Sequence, residues 1–342
     1  MNNLTVKTDS RRGWVVVSAA FVGLLLSFGV LVVYTFGVIS SAMSAEFGWG
    51  NVERGTLFAA LSFPGIIGGP LWGLLADRIG GRRVVILASI LLAIGFCFIV
   101  LIPENRAVVY LYFAILGFIG SGTYPPPYAS VVVGWFQKYR GLALGVTMTS
   151  VGVGAAALPP IAAILTETYG WRLTYVFFGL AMLIVMVPII ARFLHAFPDL
   201  ELKENNKGQV PAIEKKQSNL LALVKEAFSH PKTWILLSFA FFSGAVLVTV
   251  VSNFVPILQS RGETVLQAAS YQSVLGISLI MGRLCIGGLI DRIFAPYIMA
   301  IVVVLAAAGL LSLYSGSSAG IYIFAAVGIG LTIGAEVDFL GF

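Results

Sequence analysis

The chain has 342 residues, of which 58% are hydrophobic and only 11% charged, with a mean hydropathy of +0.96 and a formal net charge of +6. A soluble domain carries roughly a quarter charged residues, so this chain lacks the polar surface to face water and must turn most of its side chains toward lipid. A soluble globular domain is excluded, and the positive charge has a topological explanation that leaves a nucleic-acid reading without support.

Arg11 and Arg12 open the first apolar run as they would a signal peptide. The run extends about 25 residues, beyond the ~7–15 of a cleavable h-region, so it reads as a retained first span. Apolar runs of roughly 20 residues, the length that crosses a ~30 Å core, recur near 15–39, 55–76, 84–102, 107–133, 142–165, 173–192, 233–257, 268–290, 296–314 and 320–342. They are continuously apolar and lack the alternation of barrel strands, so the fold class is an all-α polytopic membrane protein of about ten transmembrane helices. Pro125, Pro126 and Pro127 interrupt the fourth span. Cys97 and Cys285 lie in apolar runs with no motif spacing and read as small hydrophobes.

After six spans, residues 193–232 break the pattern with Asp199, Glu201, Lys203, Glu204, Lys207, Glu214, Lys215 and Lys216 among Asn, Gln, Gly and Pro. This segment predicts a polar, partly disordered cytoplasmic linker with an amphipathic stretch over 220–228. It divides the chain into an N-terminal six-helix bundle (1–192), the central linker (193–232) and a C-terminal bundle of four helices (233–342). Sixteen Lys and Arg fall on the side of the N-terminus, and only Arg54, Arg106, Arg172 and Arg261 fall on the other. The bias predicts a cytoplasmic N-terminus and linker in the plasma or inner membrane.

A polar string ends the second span: Gly73, Asp77, Arg78, Gly80, Gly81, Arg82 and Arg83. A shorter echo, Gly287 to Asp291 and Arg292, ends the eighth. Two copies at matching places predict structurally equivalent halves, a common transporter design. A carboxylate at a helix C-terminus opposes the helix dipole unless a cation or another helix compensates it. Asp77 pairing with Arg82 or Arg83 in one state and releasing in another would make a latch between bundles; the plainer reading is that these arginines anchor topology.

No other Lys or Arg lies as deep in any span as Arg283. Counted at 1.5 Å per residue from Asp291, it lies about 12 Å inside the helix end, which predicts a position near the midplane. An Arg at such depth is costly and usually functional, and its planar fork suits a carboxylate; the alternative is a structural Arg satisfied by backbone carbonyls. Tyr34 and Thr35, Tyr124 and Tyr128 around the triple proline, Asn253 and Gln272 are predicted hydrogen-bond donors at similar depth. Glu336 and Asp338 on the tenth span are candidates for coupling or for a structural pair. Gly141, Gly145, Gly152 and Gly154 predict close packing of the fifth span. The two histidines, His195 and His230, lie in or beside the linker, so the sequence offers no acid–base or metal constellation for an enzyme.

These residues resemble the major facilitator superfamily, with two six-helix bundles, a long central loop and this motif after the second helix. Gly13 to Val16, Trp135 to Gly145 and Gly282-Arg283 resemble more narrowly its monocarboxylate and oxalate–formate branch. The resemblance implies a secondary active transporter that moves a small organic anion by alternating access, acting as a monomer in the bilayer with no cofactor or metal. It also implies twelve helices, so the second bundle has four of an expected six, the chain reads as C-terminally truncated, and little transport is expected of it alone. Where proton-coupled relatives carry an Asp one turn before the eighth-helix Arg, this chain has Leu279. A drug–proton antiporter of the same fold and a non-transporting remnant are the competing readings.

Overall fold

The computed structural model describes residues 9–195, 228–229, 231–286 and 295–339; of these, no residue is in a strand. The ten predicted spans are helical over their described residues, short turns and interruptions aside. The first is assembled from Arg11–Leu25, Gly29–Val33 and Phe36–Phe47, and the second is Asn51–Ile79. The third is Gly81–Phe98 extended by Ile99–Leu101; the fourth joins Arg106–Gly120, Ser121–Thr123 and Pro125–Trp135. The fifth is Arg140–Tyr169, and the sixth joins Trp171–Ala181, Met182–Met186 and Val187–Phe193. Pro231–Gln259, Val265–Met281 with Gly282–Ile286, Ala295–Ser315 and Ala319–Phe339 complete the set. Among the described residues eight spans are long and apolar enough to cross a membrane, and the seventh and tenth carry the shorter apolar stretches Gly244–Gln259 and Ala319–Ala335.

Two of the turns consist of a single glycine. Gly80 joins the second span to the third at φ +89°, and Gly170 joins the fifth to the sixth at φ +83°. Only glycine takes that backbone without strain, so helices about 44 Å long can reverse within one residue. Gly81 then starts the third span where a Cβ would stand 2.8 Å from the carbonyl of Pro127.

The first half is a closed bundle. Its first span packs on the fourth, fifth and sixth, the second span on the fourth, and the third span on the sixth. In the second half the tenth span lies between the eighth and ninth. Its Gly330 and Gly334 bring main chain against main chain, since a Cβ at either would meet the carbonyls of Leu275 and Leu279 at 2.3 and 2.5 Å.

The start of the described chain is tied to the first half. Asp9 sits at φ +60°, a left-handed position that Asp tolerates better than most residues. Its carboxylate accepts the amides of Gln137, Lys138 and Tyr139 at 3.4, 3.3 and 3.2 Å. Its own N–H donates to the Trp135 carbonyl at 2.9 Å. These amides lead into the fifth span, whose own cap residue, Tyr139, makes no side-chain bond, so Asp9 caps that helix from a distance. The Trp135 indole donates to the His195 carbonyl at 2.6 Å. Asp9, the 136–139 turn and the end of the sixth span therefore share one end of the bundle, called here the linker end; the other is the far end.

Candidate substrate path and its gates

The fourth span breaks at depth, and the break leaves no main-chain donor stranded. In the helix Pro125–Trp135 the first three positions are prolines, which have no N–H to satisfy. The cap residue Tyr124 donates its amide to the Ser121 carbonyl at 3.4 Å. On the preceding segment the Phe118 carbonyl accepts Ser121 Oγ at 2.8 Å and Trp72 Nε1 at 2.9 Å, and the Gly120 carbonyl accepts Thr123 Oγ1 at 2.7 Å. The same Thr123 hydroxyl accepts the amide of Phe28 at 3.0 Å, where the first span is itself interrupted. Two broken helices thus face each other inside the first half and complete each other's hydrogen bonds, the condition for irregular backbone in a membrane.

The two halves meet along a seam. Near the linker end the eighth span runs beside the fifth, and Arg283 donates through Nη1 to the Met148 carbonyl at 2.7 Å while only 8% exposed. Met148 is about 12 Å from Arg140 along its helix, the same distance that Arg283 was counted to lie from Asp291. Further along, Gly276 fits against the main chain of Ala155 and Ala156, where a Cβ would stand 2.2 Å from the Ala156 nitrogen. A Cβ on Gly152 would stand 2.4 Å from the Ile280 side chain, and within the first half one on Gly154 would stand 2.1 Å from that of Val30. Gly141 and Gly145 have open space around them, so the close contacts of these glycines begin about three turns after Gly141.

At the far end the seam is made by the first and second spans against the seventh and eighth. A Cβ on Gly37 would stand 2.9 Å from Pro256 Cδ and 3.0 Å from the Ser252 carbonyl. Gln272 donates through Nε2 to the Tyr34 carbonyl at 2.8 Å. Arg54 reaches Asn253 Oδ1 at 3.5 Å.

Several predicted site residues have other work in this state. Tyr128 is fully buried against Gly23, where a Cβ would stand 2.4 Å from its ring, so it fills the first bundle and lines no opening. Asn253 donates to the Thr249 carbonyl at 2.9 Å and to Ser252 Oγ at 3.2 Å and accepts from Arg54, which makes it a cross-seam contact. Tyr34 is 8% exposed, and Tyr124 is half-buried with its ring 6.3 Å from that of Phe28. In the latch, Arg82 donates to the Ala191 carbonyl at the end of the sixth span, and Arg83 donates to the Ile79 carbonyl at 3.5 Å. In this state the two arginines compensate helix C-termini directly, the need that the sequence reading assigned to Asp77. Two ion pairs stand at the far end, Glu53–Arg106, at 3.1 Å, and Glu46–Arg172. Asp291 and Arg292 lie outside the described residues, as do the side chains of Glu336, Asp338 and Cys285, most of the 193–232 segment including its 220–227 stretch, and His230. Among the described residues no cluster of His, Cys, Asp and Glu could hold a metal ion.

A cavity of about 440 Å³ opens between the seventh, ninth and tenth spans, lined by Phe242, Val246, Val250, Leu310, Ile329 and Thr332 among others. The Thr332 hydroxyl is engaged with the Val302 and Gly328 carbonyls at 2.9 Å each, so this wall offers little to an anion.

With eight helices among its described residues long and apolar enough to span a bilayer, the chain is a multi-pass membrane protein. The chain matches the Major Facilitator Superfamily over residues 17–338, and it belongs to that family of transporters. It is 27% identical over 308 residues to the MFS-type transporter YhjX of Escherichia coli (strain K12), covering 89% of this chain and 73% of that one. It is 32% identical over 179 residues to monocarboxylate transporter 13 of Rattus norvegicus, covering 50% of this chain and 40% of that one. The crystal structure of a point mutant of the nucleoside transporter NupG superposes with a TM-score of 0.71 at 15% identity, over 96% of this chain and 81% of that one, a likeness of fold.

Proposed function

We propose that the chain is a secondary active transporter that carries a small organic anion between the two faces of the cell membrane by alternating access. It is not an enzyme, and it works as a monomer with the N-terminus and the 193–232 linker in the cytoplasm. The observation that carries this reading is Arg283, a buried guanidinium on the seam that reaches across to a main-chain carbonyl of the opposite half. A carbonyl is a weaker partner for a guanidinium than a carboxylate, which binds through two parallel charge-assisted bonds. When the halves part, the Met148 bond breaks and a substrate carboxylate takes its place. Its binding energy is then realised only in the states that hold substrate. Tyr34 and Tyr124, beside the interruptions in the first and fourth spans, supply the neutral hydrogen bonds that orient the rest of the anion. Asp77, Arg78, Arg82 and Arg83, with Asp291 and Arg292, serve as the linker-end latch, and Glu336 and Asp338 as the coupling pair. The relative named as a monocarboxylate transporter supports this substrate class.

Uptake of formate, lactate, pyruvate and oxalate into proteoliposomes tests the reading, with a neutral nucleoside as control. Arg283→Gln should abolish saturable anion uptake, since losing one partner of a buried charge pair costs on the order of 2–5 kcal/mol. Arg283→Lys keeps the charge without the fork and should retain weak activity. Preference for the neutral compound, unchanged by Arg283→Gln, would overturn the anion reading.

A further inference from the structure

The four far-end cations are not treated alike by the fold. Arg106 is paired with Glu53 and Arg172 with Glu46, and Arg172 also lies over the Trp171 ring at 4.3 Å. Arg261 donates to the Gly316 carbonyl at 2.6 Å within the second half. Arg54 alone among these four crosses the seam, and its partner there is the neutral amide oxygen of Asn253 at 3.5 Å. That separation is at the outer limit of a hydrogen bond. The Arg54 Nε is buried without any partner.

Its placement makes the cation more conspicuous. Arg54 lies in the first turn of the second span, the positive end of the helix dipole, where a cation is disfavoured. The adjacent carboxylate, Glu53, is already committed to the Gly50 amide at 3.0 Å and to Arg106. Folding stability therefore gives no reason for a guanidinium at this position. An anion arriving from the far side does, because a carboxylate makes shorter and roughly twice stronger bonds to a guanidinium than a neutral amide does.

We propose that Arg54 is an anion-sensing latch at the far mouth of the path, holding the closed seam through the Asn253 amide and taking the carboxylate of an entering organic anion once the seam opens. The anion class rests on the reading of Arg283 above; the latch does not. Exchange of a weak amide partner for a strong carboxylate one favours the far-open state only when substrate is present. Gly37 against Ser252 and Pro256 and Gln272 against the Tyr34 carbonyl form the rest of the same contact, so release of Arg54 loosens a surface that has no ion pair of its own among the described residues.

The test uses the full chain in oriented vesicles and reads latch and sensing separately. For the latch, a single cysteine is placed at Ser40, buried on the far half of the first span, with Cys97 and Cys285 replaced by serine, and is labelled from the far side with an impermeant maleimide. Asn253→Asp gives Arg54 an ionic partner and should slow labelling several-fold, whereas Asn253→Ala and Arg54→Gln should speed it. For sensing, Arg54→Gln should raise the KM for anion entering from the far side about tenfold and leave entry from the linker side within about twofold. Arg54→Lys, which keeps the charge, should fall between and controls for folding. Labelling that is the same in all variants overturns the latch, and a KM shift equal from both sides overturns the sensing. If no organic anion is carried at all, the labelling still decides the latch, so failure of the substrate reading is distinguishable.

Discussion

The two ends of the seam between the halves are built from different materials. The far end is joined by a glycine contact, one glutamine on a main-chain carbonyl and one long guanidinium–amide bond. The linker-end side of the seam is joined by a well-formed bond from a buried guanidinium to a carbonyl and by a run of small residues on the fifth span. The far contacts are neutral-acceptor bonds that a modest free energy can replace. At the linker end a buried guanidinium is held on a carbonyl, and burial makes it costly to leave such a group without partners. The two ends differ in how deeply the cation is buried rather than in the charge of its acceptor.

The largest effect should come from the point between the two ends. Gly276→Val puts side-chain atoms where the main chain of Ala155 and Ala156 already lies, and overpacking of this kind costs about 1–3 kcal/mol or more. Thermal unfolding in detergent should move down clearly and uptake should vanish; an unchanged melting curve would mean that the halves do not pivot on this contact. A smaller, purely kinetic effect is expected from Asp77→Asn, which removes a charge at the linker end without changing size. Uptake should fall several-fold with protein level unchanged, and unaltered uptake would leave the motif a topology anchor. The smallest effect belongs to a contact outside the seam. Against desolvation, the largest single influence on it, three main-chain amides of the 137–139 turn and the Lys138 charge together hold the Asp9 carboxylate below its usual range. A depressed carboxylate contributes its stability above its unfolded value of about 3.9 and loses it as pH falls through the lower folded value. Amide exchange at 137–139 should therefore stay slow from neutral pH to about 4, quicken only in stronger acid, and lose that dependence in Asp9→Asn, with transport at pH 7 little altered.

The spans were legible because long apolar runs are a property of composition, which folding does not rearrange. The Gly80 turn and the broken fourth span were legible for a similar reason, since glycine and proline act on their own backbone. The interruptions at Gly29–Val33 and Met182–Met186 were not, because nothing in a uniformly apolar stretch marks where a helix widens. Asp77 was read as pairing with Arg82 or Arg83, and the bond that Arg82 makes to the end of the sixth span, 109 positions away, exists only because packing brings the two near. Asn253 was picked for its depth and polarity, and nothing in its own stretch of sequence marks the bond it accepts from Arg54, 199 positions away, which the sequence reading had counted only as a topological charge.

The three prolines that open the second part of the fourth span have a consequence for tightness as well as for shape. A helix start deep in a membrane ordinarily exposes amide protons, and those protons give water a foothold. Here the stretch from Pro125 to Pro127 carries no exchangeable main-chain proton, and the one at Tyr124 is turned back to Ser121. A chain of waters entering this region finds no main-chain donor on that side to continue through. The break can therefore bend without baring amide protons to water, which is how irregular backbone is tolerated inside a sealed membrane.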